Sequence, residues 1–338
     1  MDFLGPGRFL LEEGVPNARG RVLGGSRAIN AGFYSRADPD LYKNSGLNGD
    51  LRVVNHSYEW VEKAIVFQPD LKNWQSAVRD GLIEPGVDPY NGFTFNHYVG
   101  TKIGGTTFDK MGNRHSAADL LQYAKPLNIK VAVHAIVERI LVASSSSSAL
   151  SASKQSAIGV VYRDRTGAYH HAMVRDKGEV LLSAGALGTP QLLLLSGIGP
   201  RPYLSSWGIP VVHHYHYVGQ DLYENPRNGI SIVPPMPLEH SLIQVVGITN
   251  SGAYLEAASN VIPFSSPACG NEWIRRGLFL EAAQCTIWHY HDGCVTGKVV
   301  DRNFRVSGVG ALRVVDGSIL SVSPGTNPQA TALMMGSK

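Results

Sequence analysis

The sequence predicts a mixed α/β (α+β) fold, and three observations predict it. A compact apolar strand, a small-residue turn and a helix opening on proline follow one another over 179–197, and the same order returns over 312–335. Between 130 and 174 lie four short runs rich in β-branched residues, which read as a β-meander. Amphipathic helical spacing occupies 57–81, interrupted at Pro69.

Taken in order, Arg21-Val22-Leu23-Gly24-Gly25-Ser26 leads into Ala28-Ile29-Asn30-Ala31-Gly32-Phe33. This glycine-rich loop enters a short apolar segment, where backbone can closely approach a ligand. Ser116-Ala-Ala-Asp119 has the spacing of a capping box and predicts a helix to about Lys125. The meander runs are Lys130–Ala135, Val137–Val142, Ala157–Arg163 and Tyr169–Val174, with the serine tract Ser144–Ser148 as a solvated hairpin loop. Glu179–Ser183 is a strand and 184–188 a tight turn. Thr189 as N-cap, Pro190 at the first helical position and Gly197 as terminator then define a short buried helix. At the end, Leu312–Asp316 and Gly317 read as strand and turn, and Asn327-Pro328-Gln329 opens a helix to about Met335. Two helix N-termini aimed at one crevice would offer free amides and partial positive charge to an anionic ligand.

Composition narrows the function classes. With 43% hydrophobic and 17% charged residues in 338, the chain can build a sizeable core and two domains. A net charge of +3, with basic residues scattered, gives no footprint for a nucleic-acid partner. Cys269, Cys285 and Cys294 fall in no metal-ligand spacing and cannot all pair. The clusters His170-His171 and His213-His214-Tyr215-His216 place neighbours on opposite strand faces with no third ligand type, so no metal is expected. Apolar runs such as Leu192–Leu195 are too short to span a bilayer, and no signal peptide opens the chain, which leaves localisation unassigned.

The run Gly185-Ala-Leu-Gly-Thr-Pro-Gln-Leu-Leu-Leu-Leu-Ser-Gly-Ile-Gly199 resembles the second signature of the glucose-methanol-choline (GMC) oxidoreductases. Gly20-Arg-Val-Leu-Gly-Gly-Ser26 through Asn30 resembles the first, with Arg27 where that family carries Ser, Thr or Gly, a cation expected to crowd the flavin. Trp288-His-Tyr-His-Asp-Gly-Cys-Val-Thr-Gly297, Leu312–Ser318 and Ser323–Gln329 resemble its plant branch, which holds the HOTHEAD-like proteins and the (R)-mandelonitrile lyases. Tyr58–Val66 and Val99–Gly105 place the HOTHEAD-like proteins nearer.

The resemblance implies an incomplete FAD-binding Rossmann-like domain interleaved with a partial substrate domain. The first comprises 1–36, 115–235 and 284–338, and the second 37–114 and 236–283. The strand and GxGxxG turn that open the family's domain are not found, which leaves the cofactor's pyrophosphate without its usual anchor. A short unfamiliar stretch between about Ser259 and Cys285 replaces much of the substrate-domain sheet, and full-length relatives are commonly secretory.

By the same resemblance, FAD is the cofactor and a small-molecule alcohol the substrate. Contacts to the flavin or its adenosine arm fall on Val22, Gly24, Gly25, Ser26, Asn30, Ala31, Gly32, Phe33, Val137, Trp288, Asp316, Gly317, Asn327, Pro328 and Gln329. Oxidising an alcohol needs a base of near-neutral pKa, which imidazole supplies. Aligning Gly297 on the family's glycine makes His289 that base and Asn327 its partner; His291, two residues on, would share a strand face with His289. Asn327 cannot act as a base near neutral pH but can hydrogen-bond a substrate oxygen. Because the mandelonitrile lyases carry histidine there, Asn327 favours oxidation over cyanohydrin cleavage. The alternatives are a hydroxynitrile lyase and an inactive truncated family member.

Overall fold

In the computed structural model, which describes residues 8–10, 16–45, 50–145, 154–229, 234–260 and 283–337, the two strand–turn–helix units lie side by side. Strand Val180–Leu182 pairs in parallel with Leu312–Val314, Val180 opposite Leu312 and Leu182 opposite Val314. Each strand feeds its own helix, Gly185–Leu195 and Gln329–Ser337. Leu182, Leu193, Ile198, Leu312, Val314 and Ile319 are buried together at this junction. Burial of each such side chain contributes about 1.5–3 kcal/mol, which fixes the two turns against one another.

Helix Leu51–Ile65 is amphipathic as expected but begins earlier, where the Asp50 side chain accepts from the Arg52 amide. Its buried face, Val54, Tyr58, Val61 and Ile65, recurs at helical spacing and packs with Ala330, Met334 and Met335 of the last helix. Glu62 of the same helix takes both Nε and Nη2 of Arg36 at 2.7 Å and the Tyr34 hydroxyl at 3.2 Å. That bidentate pair holds strand Phe33–Tyr34 against the helix.

The meander is antiparallel over Ile136–Ser145, Lys154–Arg163 and Tyr169–Met173. Lys130–Ala135 is not a strand: the segment has no ladder partner, and His134 sits at φ 55° in a turn. Its alternation of apolar residues leaves Val131 and Val133 exposed, so no sheet face buries them. Part of the serine tract, and the unfamiliar stretch over 261–282, lie outside the described residues.

A four-stranded sheet runs in the order Tyr254–Glu256, Val245–Ile248, Gly100–Ile103, Tyr90–Phe93. Helix Asn73–Ile83 is welded to it by Gln75, whose amide nitrogen donates to the carbonyls of Leu242 and Ala257 and whose oxygen accepts the amides of Gln244 and Val245. A fully buried glutamine with every polar atom engaged fixes the helix and, through residue 257, the end of strand Tyr254–Glu256.

Two caps differ from expectation. Ser116 and Asp119 form the capping box, but the turn they open, Ala117–Tyr123, is a 3-10 helix with no buried residue. Thr189 is not an N-cap. The helix starts at Gly185, φ 84°, and leaves Pro190 inside it, while Thr189 Oγ1 accepts the Ala184 amide at 3.0 Å and donates to Asp316 at 2.5 Å. Gly197, φ 76°, terminates it as expected.

Candidate functional site

The glycine loop is built on a turn in which the Gly25 amide donates to the Val22 carbonyl at 2.9 Å. Gly24 stands at φ 95°, and a Cβ there would lie 2.6 Å from Ser116 Oγ, so the loop and the capping box can approach only through glycine. Ser26 Oγ accepts the Gly20 amide at 3.1 Å. Arg114 clamps the loop from behind, donating to the carbonyls of Arg27 and Asn30 while its guanidinium lies 4.4 Å from the centre of the Phe108 ring.

Arg27 does not extend from the open side of this loop. It is buried, its Nη2 donates to the Ile65 carbonyl at 3.3 Å, and burial lowers its pKa to about 10. A Cβ on Gly25, by contrast, would meet nothing within 4 Å. The bare backbone facing outward is that of Gly25, and the expected crowding by Arg27 is relieved by turning the cation into the core.

Two hydrogen bonds join this loop to the start of the last helix. Asn30 Nδ2 donates to Gln329 Oε1 at 2.8 Å, and Gln329 Nε2 donates to the Phe33 carbonyl. Asn30 Oδ1 in turn accepts the Gly32 amide at 2.9 Å. Phe33 is buried with Ala31 beside Ile243, Val246 and Tyr254, meeting the Tyr254 ring edge-on at 6.5 Å. Tyr254 hydroxyl donates to Asn327 Oδ1 at 3.3 Å and accepts from Thr326 Oγ1 at 3.1 Å. Burial pushes the Glu256 carboxyl up to about 7, against the opposing effects of nearby Asn327 and Arg227. Asn30, Ala31, Gly32, Phe33, Asn327 and Gln329 are thus brought together, with Pro328 carrying the helix's first accepting carbonyl.

His289 has partners of its own. Its amide donates to Glu224 Oε1 at 3.2 Å, and its Nδ1 lies 3.5 Å from Asn225 Nδ2. Its pKa is lowered to about 4, first by burial and then by His291 and Arg227. The imidazole is therefore neutral at physiological pH, and the positive charge of Arg227 acts on both His289 and Glu256. His291 does not share a strand face with His289. Trp288 and Asp292 have φ of 62° and 78°, so the pleat is broken, and His291 turns back to donate from Nδ1 to the His289 carbonyl at 3.2 Å. Buried and stacked on Tyr223, it supports the backbone of His289.

Asp316 closes one of the two expected amide sites. Its carboxylate accepts from the Gly185 amide and Thr189 Oγ1 and, two residues on, from the Ser318 amide and hydroxyl. The N-terminus of helix Gly185–Leu195 is already filled by an internal anion, with Gly317 as the first residue of the turn that holds it. Val137 lies opposite Tyr162 in the meander, and Trp288 and Val22 are exposed.

Sequence reasoning missed Tyr254, Glu256 and Arg227. Tyr-x-Glu on a strand does put both side chains on one face, but nothing in that spacing says which face meets Asn327, 71 residues on from Glu256. Among the described residues, no three metal-ligating side chains come together, and no helix is long and apolar enough to cross a membrane. A cavity of about 550 Å³ lined by Arg36, Tyr42, Tyr58 and His97 lies apart from His289 and Asn327.

Residues 14–227 match the N-terminal GMC oxidoreductase family model and 245–336 the C-terminal one. The chain is 52% identical to an (R)-mandelonitrile lyase-like protein of Arabidopsis thaliana, covering 97% of this chain and 77% of that protein. That alignment spans 426 positions against 338 residues here, so at least 88 positions of the relative face a gap within this chain. The chain is 39% identical to a sinalpyl alcohol oxidase of Nesocodon mauritianus, with 97% and 76% coverage. Identity to the HOTHEAD protein of Arabidopsis thaliana is 36%, with 97% and 76% coverage, which reverses the expected order of the two plant groups. Among solved structures, formate oxidase of Aspergillus oryzae superposes with a TM-score of 0.75 at 17% identity, covering 98% of this chain and 86% of that one, a likeness of fold.

Proposed function

The chain belongs to the GMC oxidoreductase family, and from that premise we propose that it oxidises the CH–OH group of a small-molecule alcohol with FAD as cofactor. The observation that carries this reading is His289, a half-buried imidazole whose amide is held by Glu224 and whose carbonyl is held by His291, and which desolvation keeps neutral. A neutral imidazole can take the hydroxyl proton as the carbinol carbon loses hydride. Asn327 orients the same oxygen by donating an amide N–H, and His291 holds the backbone of His289. FAD, when bound, supplies the hydride acceptor.

The residues present fit that group. The open backbone of Gly25 and the wall formed by Asn30, Phe33 and Gln329 offer amides and carbonyls to a planar polar ring. We assign Val22, Gly24–Ser26, Asn30–Phe33, Val137, Trp288, Asp316, Gly317 and Asn327–Gln329 to cofactor binding, Asp316 through the turn it builds. The same reading divides the chain into a cofactor domain over 1–36, 115–235 and 284–338 and a substrate domain over 37–114 and 236–283.

A second reading is favoured by the 52% identity to a mandelonitrile lyase-like protein. In it, His289 removes the hydroxyl proton of a cyanohydrin while cyanide departs with the C–C electron pair, giving an aldehyde without net redox change. One experiment separates the readings. The protein is incubated with FAD, desalted, and its visible spectrum followed under anaerobic conditions. Retained flavin colour that bleaches with a benzylic alcohol, with aldehyde formed, supports oxidation. Release of benzaldehyde and cyanide from mandelonitrile without bleaching supports the lyase. A colourless desalted protein overturns both and points to an inactive family member.

A further inference from the structure

Tyr254 opens strand Tyr254–Glu256, opposite Ile248, and the proposed chemistry gives its hydroxyl no role. Its ring is held by Phe33, which meets it edge-on at 6.5 Å with 72° between the planes and is itself buried against Ile243 and Val246. The Phe33 carbonyl receives the Gln329 side-chain amide, so the residue that fixes the ring also anchors the start of the last helix.

The Tyr254 hydroxyl lies between two consecutive residues of the loop that leads into that helix. It accepts from Thr326 Oγ1 at 3.1 Å and donates to Asn327 Oδ1 at 3.3 Å. The loop has little room to shift away. The Asp38 amide donates to the Pro324 carbonyl at 2.9 Å, Thr326 is buried, and a Cβ on Gly325 would stand 3.1 Å from Asp38 and 3.3 Å from the His97 ring.

A phenol has one proton to give, and a primary amide has one oxygen and two N–H donors. With the Thr326 hydroxyl donating to the phenol oxygen, the phenol proton needs an acceptor, and Asn327 Oδ1 is that acceptor. Reversing the amide would bring a second donor to the phenol oxygen and take away the acceptor of its proton, so one orientation satisfies all three groups. Burial first, and then the charge of Glu256, hold the phenol well above the ordinary tyrosine range, so the hydroxyl remains a donor at neutral pH.

We propose, resting on the alcohol-oxidising reading above, that Tyr254 is a positioning residue: its hydroxyl holds Asn327 by Oδ1, so that the Nδ2 end of the amide is the end presented to the oxygen of the substrate carbinol. Strand Tyr254–Glu256 thereby acts on the reacting oxygen through Asn327 without touching it.

The first test needs neither flavin nor turnover. In the 338-residue protein labelled with 13C at asparagine Cγ, the Asn327 resonance, assigned by its loss in Asn327→Ala, is compared with that in Tyr254→Phe, which removes the hydroxyl and keeps the ring against Phe33. Loss of the donor to Oδ1 should move this resonance upfield while those of the other asparagines stay in place. An unmoved resonance means that phenol and amide are not bonded, and overturns the proposal whatever the protein catalyses. The second test is a double-mutant cycle on alcohol turnover in the FAD-loaded protein. Tyr254→Phe is expected to lower kcat about 10- to 100-fold with little change in KM or in the flavin-to-protein absorbance ratio, and to add nothing in an Asn327→Ala background. Losses that add, an unchanged kcat, or a loss that follows flavin retention alone overturn a role exerted through Asn327. A shifted resonance in a protein that bleaches with no alcohol defeats the oxidation reading and, with it, the assigned target of the amide, while the bond between Tyr254 and Asn327 stands.

Discussion

His289 and Lys102 are both bases whose charge the fold suppresses by burial, and both favour the folded state at higher pH, each in its own window. His289 falls from its ordinary 6.5 to about 4, so the folded protein refuses a proton that the unfolded chain accepts. Its contribution to stability is intact above about pH 6.5 and is lost as pH falls toward 4. For catalysis the same shift keeps the base competent. The acid limb of kcat/KM is expected below about pH 5, and a limb centred near 6.5 would refute the burial argument. His289→Ala is expected to lower kcat by about 10²- to 10⁴-fold while the flavin-to-protein absorbance ratio stays unchanged. Lys102, fully buried with Nζ donating to Ser35 Oγ at 2.8 Å and the Asn96 carbonyl at 2.5 Å, is lowered by burial from 10.5 to about 7. Between those values the unfolded chain binds the extra proton, so stability rises with pH from about 7 to 10.5. In Lys102→Met that rise should flatten, as read from urea midpoints across this range.

Elements carry a different kind of evidence, because their boundaries depend on what packs against them. The amphipathic spacing read from residue 57 onward falls on the helix Leu51–Ile65, whose first turns, opened by the Asp50 cap, were not read. Its role as the floor beneath the loop follows from Ile65, fully buried, whose carbonyl also receives Arg27. Ile65→Ala is expected to cost about 2–5 kcal/mol by leaving a cavity, measured as a lowered urea midpoint at constant slope. The helix start at Gly185 was misplaced at Thr189 because a Thr-Pro pair reads locally as a cap. The decisive partner, Asp316, is 127 residues away and takes the Thr189 hydroxyl for itself. Gly24 belongs to this scale too. Gly24→Ala sets a Cβ 2.6 Å from Ser116 Oγ at a positive φ, so it should cost about 1–3 kcal/mol and lower flavin retention after desalting.

For the whole molecule, the candidate site is a junction between sheets rather than a feature of any one. The loop 22–33, strand Tyr254–Glu256 and the start of the last helix meet only when both halves of the chain are folded, and Arg227 acts on both Glu256 and His289. A ligand that bridges them stabilises the native state alone. FAD at 100 times its dissociation constant should therefore add about 2.7 kcal/mol and raise Tm, whereas free riboflavin at the same concentration should do less. No rise with FAD would contradict the cofactor assignment directly.

Taken alone, the sequence determined the family, the paired strand–turn–helix units and the meander, and it put forward His289, Asn327, Asn30 and Gln329 as candidates. Each of these is written in contiguous residues, where glycine, proline and apolar spacing act within a few positions. The tertiary structure decided that Arg27 turns inward, that Asp316 fills one helix N-terminus, that His291 supports His289 by its backbone, and that Tyr254 and Glu256 flank Asn327. Those outcomes depend on partners tens to hundreds of residues away. A buried charge or amide is satisfied by whatever the fold brings within hydrogen-bond reach, and spacing along the chain carries no record of that encounter.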